Sequence, residues 1–274
     1  MKQTNRLYDI EQHRWILQQA GSDPKSNALA LAALGTWISG YPDQARTYCR
    51  AALALAQELA NPMVSWFADY YAALFFGYTG EIQEAQSCVE RALRICEEQD
   101  LAYYHVYSQA LQGWILANAG NETGLTLLEQ GANRLRQTGD RLNLLLLLRL
   151  QANACLNYGF LTQALDIVEE ALALSHETQI IYEKPEIIRL KGEILLAQSP
   201  DDPQKAEGCF LLAVESAILQ KSKMWELRAA SSLARLCLKT DRQEETLARL
   251  QAIYVWFTEG FDTPDLIQTR KLLE

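Results

Sequence analysis

Residues 40–45 read GYPDQA, and this pattern of a glycine followed five positions later by a small or apolar residue returns along the chain. The matching pieces are GEIQEA at 80–85, GNETGL at 120–125 and GFLTQA at 159–164, so the glycines stand 40, 40 and 39 residues apart. Ala206 and Thr246 continue the second series of positions. Glycine ends helices in the left-handed conformation, and units of about forty residues are typical of stacked helix pairs. The sequence therefore predicts an all-α, right-handed superhelical solenoid.

The repeat divides the chain into about six helical hairpins, each stabilised by its neighbours rather than by a separate core. We predict hairpins at 24–60, 61–99, 101–138, 140–177, 184–221 and 223–259, with capping helices at 5–20 and 263–273. The first helix of a hairpin is apolar on nearly every side, which predicts that it lies between neighbours, and the second is amphipathic. In the fifth hairpin Asp201 replaces the turn glycine, and we expect it to be left-handed.

Composition excludes several classes of function. The net charge of −9 disfavours binding to nucleic acid or to an anionic membrane. The apolar run Leu144–Leu148 is much shorter than the roughly 20 residues that cross a bilayer, and residues 1–10 are too polar for a signal peptide. The six cysteines show no close pairing motif, so we expect reduced core residues in a cytoplasmic protein.

Small residues recur inside the predicted helices as well. They fall in the first helix at Ala33, Ala73, Gly113, Ala152, Gly192 and Ala234, and in the second at Ala52, Ala92, Ala132, Ala171 and Ala213. This pattern resembles the tetratricopeptide repeat, with units longer than the usual thirty-four residues.

Several longer runs resemble the tetratricopeptide-repeat C-terminal region of bacterial signal-transducing ATPases and class III adenylate cyclase-type multidomain regulators. The resemblance covers essentially the whole chain, and its most specific piece is 256–262. The runs are LYD at 7–9 with HR at 13–14, GSDP at 21–24, GYPDQA at 40–45, RLKGE at 189–193, ELRAA at 226–230 and WFTEGFD at 256–262. Ile10 departs from the family pattern, where proline is usual.

The resemblance implies a sensor or scaffold region whose effector domains, an ATPase, a nucleotide cyclase or a DNA-binding domain, lie outside this chain. The sequence has no phosphate-binding loop of the form GxxxxGK[ST]. His13, His105 and His176 lack partners at metal-ligand spacing, and adjacent glutamates such as Glu97 and Glu98 diverge on a helix surface. We therefore expect no catalysis, no metal and no cofactor. A helical-toroid enzyme is an alternative, and it would need inward carboxylates with raised pKa values.

The concave surface is the predicted binding site. Its lining is expected to be aromatic toward the N-terminus and polar, partly basic, toward the C-terminus, which suits an extended acidic peptide or a carboxylate-bearing small molecule. The predicted lining residues are Tyr70, Tyr78, Tyr107, Trp114, Asn118, Arg149, Asn153, Asn157, Arg189, Glu193, Arg228, Arg235 and Lys239.

Two simpler explanations compete with this assignment. The aromatic rings could be ordinary packing between repeats, and the arginines could pair with nearby glutamates, as Arg189 could with Glu193 one turn away. We expect alanine at Arg149, Arg189 and Arg235 together to abolish ligand binding without unfolding the chain, and intact binding would exclude the groove assignment.

The sequence thus predicts a recognition module that binds a protein, a peptide or a small inducer. The alternative is a structural module that forms homo-oligomers through its edges and binds no ligand in the groove.

Overall fold

The computed structural model describes residues 21–238 and 240–274. Thirteen α-helices and no strand occur in these residues, and consecutive helices pack as antiparallel pairs in an all-α repeat solenoid. The predicted capping helix at 5–20 and the predicted site residue Lys239 lie outside the described residues.

Each predicted hairpin range holds two helices. The six first helices are α1 (Pro24–Ile38), α3 (Pro62–Tyr78), α5 (Ala102–Asn118), α7 (Arg141–Asn157), α9 (Lys184–Gln198) and α11 (Lys223–Cys237). Their partners are α2 (Pro42–Leu59), α4 (Ile82–Glu98), α6 (Thr123–Thr138), α8 (Leu161–Thr178), α10 (Gln204–Gln220) and α12 (Gln243–Trp256), and α13 (Pro264–Leu273) follows the last hairpin.

The hairpin turns follow from local chemistry. At the first turn Gly40 has a φ of 96°, and the Tyr41 N–H donates to the Thr36 carbonyl at 3.1 Å, which closes the end of α1. Pro42 then begins α2, because a first-turn proline loses no intrahelical hydrogen bond. The expectation for Asp201 is wrong, since it does not adopt a positive φ. The turn there is longer, and Ser199 ends α9 with a φ of −140° and a ψ of 75°.

The first helices pack side by side and form an inner layer, and the second helices cover them on the outside. Most of α3 is buried, whereas α4 buries Ala85, Val89 and Ala92 and exposes its glutamates. All six cysteines are unpaired thiols, and all but Cys209 are buried, as the sequence predicts. Among the described residues, no helix is both long and apolar enough to cross a membrane.

The stack curls far enough for its two ends to meet, since α11 contacts α1. The Glu259 carboxylate accepts hydrogen bonds from the backbone N–H groups of Asp43 and Gln44, both at 3.0 Å, so it caps the N-terminus of α2 from the far end of the chain. In return Asp43 Oδ2 accepts from the Gly260 N–H at 3.2 Å. We call this contact between residues 40–46 and 256–264 the end-to-end contact.

The end-to-end contact is tightly packed at Gly260. Its φ is 74°, and a β-carbon there would lie 2.0 Å from Pro42 Cγ. The Trp256 ring likewise approaches Gly40, where a β-carbon would lie 2.7 Å from it. The two sequence runs at 40–45 and 256–262, which are 216 residues apart at Asp43 and Glu259, therefore form the two sides of one contact.

We expect Gly260→Ala to destabilise the fold more than Gly159→Ala. Both glycines have nearly the same φ, 74° and 77°, so both variants carry the left-handed penalty of about 1–2 kcal/mol. Only Gly260 meets a neighbour, because a β-carbon at Gly159 has nothing within 4 Å. The additional loss at Gly260 should be about 1–3 kcal/mol in denaturant unfolding. Equal losses in the two variants would show that the end-to-end contact does not stabilise the fold.

Candidate functional site

A large cavity lies on the inner face of the solenoid, where α3, α5, α7, α9 and α11 face α13. Its volume is about 710 Å³, and we call it the central cavity. Ten of the thirteen predicted site residues line it, namely Tyr78, Trp114, Asn118, Arg149, Asn153, Asn157, Arg189, Glu193, Arg228 and Arg235. Equivalent positions of successive first helices therefore converge on one space.

The remaining predicted residues lie elsewhere. Tyr70 and Tyr107 line a second pocket, nearer the N-terminal ends of α3 and α5. Lys239 belongs to the part of the chain that the structure does not describe. The predicted aromatic and polar halves of one groove are thus two separate spaces.

Helix α13 contributes lining residues that repeat reasoning missed. Gln268 and Thr269 stand three and four residues after Asp265, and Leu272 follows one turn later, so the four form one face of the helix toward the central cavity. Lys271 also lines it. The helix was predicted only as a cap. The spacing of its polar residues indicates a polar helix face in the sequence. The position of that face opposite α3, however, follows only from the curl of the stack.

Arg149, which lines the central cavity, forms a buried ion pair with Glu183. Arg149 Nε lies 2.9 Å from Glu183 Oε2, without the alignment of a hydrogen bond, and the two side chains are only 3% and 2% exposed. The Arg149 guanidinium also donates to the Tyr78 hydroxyl and lies 5.0 Å from the centre of the Tyr78 ring. Arg149 therefore joins α3 to the loop before α9.

Two further arginines are held in the same network. Arg189 donates to both oxygens of Glu186 at 2.8 Å and to Glu193 at 3.1 Å. Arg228 donates to both oxygens of Asp265, at 2.7 and 2.8 Å, and lies over the Trp37 ring. Bidentate pairs of this kind fix both partners, so α9, α11 and α13 are joined through charged groups rather than through apolar contact alone.

Burial raises the pKa values of the buried carboxyl groups, and the neighbouring arginines lower them. Burial raises the pKa of Glu183, and Arg149 only partly offsets it. Burial would also raise the pKa of Glu186, but Arg189, Arg228 and Arg149 together outweigh it and lower the pKa to about 2. Glu186 is therefore ionised at neutral pH and is the central anion of the network.

This arrangement changes what the arginines can offer a ligand. Arg149, Arg189 and Arg228 already pair with carboxylates of the chain, which is the alternative that the sequence left open. The expectation that alanine at Arg149, Arg189 and Arg235 leaves the fold intact needs correction for Arg149. Its removal would leave Glu183 buried without its ionic partner.

The rim of the central cavity carries one exposed arginine that pairs with Glu193, and several polar groups without a partner in the described residues. Arg235 is 54% exposed and shares one Glu193 oxygen with Arg189. The side-chain amides of Asn153 and Asn157, one turn apart on α7, make no hydrogen bond within the described residues, nor does Asn118 on α5. Lys271 makes no ion pair there. The cavity thus has a floor of paired charges and a rim of unpaired donors and acceptors.

No family model matches this chain, and no curated protein is significantly similar to it. Within the residues that the structure describes, no group of three or more metal-binding side chains comes together.

We expect Arg149→Ala to lower the free energy of unfolding by about 3–5 kcal/mol, because it removes the ionic partner of a fully buried carboxylate. Arg235→Ala is the matched control. Its guanidinium is half exposed, and its loss should change stability by no more than about 1 kcal/mol. Denaturant unfolding of both variants measures the difference, and equal effects would contradict a structural role for the Arg149 pair.

We expect Glu186 to make folding stability depend on pH below about 4.5. Its pKa is lower in the folded chain than in the unfolded chain, so its contribution is complete above the unfolded value and is lost as pH falls toward 2. The loss should be on the order of 3 kcal/mol. Unfolding of Glu186→Gln should show a shallower dependence between pH 4.5 and 2, whereas the exposed Glu97→Gln should follow the wild type. A slope unchanged in Glu186→Gln would contradict the assignment.

Proposed function

We propose that this chain is a non-catalytic recognition module that binds a carboxylate-bearing peptide in extended conformation in the central cavity. The observation that supports it most is the unpaired polar rim. Asn153, Asn157 and Asn118 each carry an amide donor and an amide acceptor, the same pair of groups that a peptide backbone presents. Polar groups at a cavity that the chain leaves without partners favour a ligand that supplies them.

The charge of the lining favours an acidic ligand. Five cationic side chains line the central cavity, Arg149, Arg189, Arg228, Arg235 and Lys271, against the three carboxylates of Glu186, Glu193 and Asp265. This local excess of positive charge occurs in a chain whose net charge is −9. The other three arginines are mostly buried in the network, so the cations most accessible to a ligand carboxylate are Lys271 and the half-exposed Arg235, whose guanidinium also pairs with Glu193.

The same pairing speaks against catalysis at this place. Glu186, Glu193 and Asp265 each contact a guanidinium, and the pKa of Glu186 is lowered rather than raised. A general acid at neutral pH needs a raised pKa and a clear path to its substrate. These carboxylates therefore suit a structural role.

In the multidomain regulators that the sequence resembles, such a module would act on an attached effector. The first and last hairpins meet at the end-to-end contact, and α13 forms one wall of the central cavity. A peptide held between α7 and α13 would stabilise the closed arrangement of the stack to the extent that it binds this arrangement more tightly than an open one. We propose this as the route by which binding reaches effector domains, in a cytoplasmic bacterial signalling protein.

A second candidate function is self-association. Apolar side chains on the outer helices are exposed, among them Leu219 on α10 at 84% and Val255 on α12 at 68%. A concentration-dependent dimer in light scattering, together with no peptide binding, would favour this function over recognition.

Peptide selection tests the recognition proposal. The immobilised full chain would be screened against a random library of short peptides, and selected peptides would be titrated by calorimetry. We expect enrichment of acidic peptides. Asn153→Ala with Asn157→Ala should weaken binding about tenfold or more, because each lost hydrogen bond is worth about 0.5–1.5 kcal/mol.

The control is Asn133→Ala on the outer face of α6, where the side chain is exposed and lies outside the central cavity. It should leave affinity unchanged. All three asparagine changes should leave thermal unfolding nearly unchanged, since none replaces a buried side chain. Failure to select any peptide, or equal affinity of the rim and control variants, would contradict the proposal.

A further inference from the structure

The second pocket of about 380 Å³ differs chemically from the central cavity. It lies between the N-terminal halves of α3 and α5, and its edge is formed by Gly21, Ser22 and Asn143. We call it the aromatic pocket, because seven rings line it: Trp66, Phe67, Tyr70, Tyr71, Tyr103, Tyr104 and Tyr107. None of the described residues that line it is Lys, Arg or His.

The rings surround the space from two helices. Trp66 stacks on Tyr70 with centroids 5.3 Å apart and lies 4.4 Å from Tyr104 across the interface between α3 and α5. Tyr107 meets Tyr70 edge to face at 6.3 Å. Ring faces carry a partial negative charge, so a space bounded by several rings attracts a cation.

A carboxylate behind the rings strengthens this attraction. Asp140 accepts hydrogen bonds from the hydroxyls of Tyr103, at 2.8 Å, and Tyr107, and from the side-chain amide of Asn143 at 2.8 Å. Partial burial acts to raise the pKa of Asp140, but these hydrogen bonds outweigh it and lower the pKa. Asp140 is therefore ionised at neutral pH, and each phenol that donates to it becomes more electron-rich.

A further acceptor faces the same space. Asn27 lines the aromatic pocket, and its Oδ1 atom is buried without a hydrogen-bond partner in the part of the chain that the structure describes. Such an acceptor is costly to leave without a donor. Arg141, the cation next to Asp140 in sequence, is already bonded to Glu177 at 2.6 Å.

We propose that the aromatic pocket binds an organic ammonium ion. The rings supply contact with its methyl or methylene groups, and Asp140 supplies the countercharge through Tyr103, Tyr107 and Asn143. Asp140 also caps the N-terminus of α7, and the negative charge that it keeps there would attract a cation in the adjacent pocket. The proposal is independent of the central cavity, because the two spaces share no lining residue.

The test uses two molecules of equal shape. Choline carries a quaternary ammonium group, and 3,3-dimethyl-1-butanol has the same shape with a neutral carbon in place of the nitrogen. Each would be titrated into the full chain by calorimetry and by tryptophan fluorescence. We expect choline to bind at least tenfold more tightly than the alcohol. Equal binding, or no binding of choline by the full chain, would overturn the proposal.

Variants locate the site. Asp140→Asn keeps a side chain that can cap α7, and it should weaken choline binding about tenfold without changing the affinity for the alcohol. The control Asp166→Asn changes an exposed carboxylate on α8 and should have no effect. Tyr103→Leu should weaken choline binding because it keeps an apolar wall but removes a ring. Binding that survives both pocket variants would overturn the location.

Two sources of the ammonium group can be separated in the same way. A free small molecule would be represented by choline, and a modified protein by a short peptide with trimethyl-lysine beside its unmodified lysine counterpart. Once choline binding has established the ammonium chemistry, the affinity of the trimethyl-lysine peptide relative to choline identifies the source. The central-cavity variants Asn153→Ala and Asn157→Ala should leave choline affinity unchanged, and a loss there would contradict a separate site.

Discussion

The end-to-end contact is the constraint on which the central cavity depends. A stack of helical hairpins has an open inner face unless its ends are fixed, since each hairpin contacts only its neighbours. Here Glu259 caps the N-terminus of α2, and Gly260 lies against Pro42. The chain that follows Gly260 becomes α13, which lines the cavity opposite α3. An open surface thereby becomes a bounded space of a size suited to a ligand.

Burying the charged network inside this closed stack costs free energy, so its presence needs a physical explanation. Arg149, Glu183 and Glu186 are almost fully buried, and moving such groups from water costs several kcal/mol each unless they are paired. Apolar side chains of similar size would stabilise the same helix contacts at least as well. Charged pairs, however, join particular partners, and Glu186 accepts from both Arg189 and Arg228. The network therefore favours one arrangement of α7, α9, α11 and α13 over others of similar compactness.

The repeat made much of the fold predictable, because glycine at positions such as Gly40 and Gly80 marks turns that few other residues can form. The ends of the second helices are harder to predict from the sequence. Ala60, Asp100, Gln179 and Lys221 take the left-handed conformation there without being glycine, so tertiary packing and not propensity decides those ends. Positions on the first helices predicted which residues line the central cavity. Pairing of Arg228 with Asp265 could not be predicted, because it depends on where the stack closes.

The inner face therefore carries two spaces of opposite chemistry on the same helices. Tyr70 in the aromatic pocket and Tyr78 in the central cavity are eight residues apart on α3, about 12 Å along the helix axis. A bound group in either space would press on α3 and α5, and the ring of Tyr78 is held by Arg149 and stacked on Trp37. Trp37 also contacts Trp225 of α11, where the ends of the stack meet. The ring contacts of Tyr78 with Trp37 and of Trp37 with Trp225 therefore connect the central cavity to the place where the stack closes.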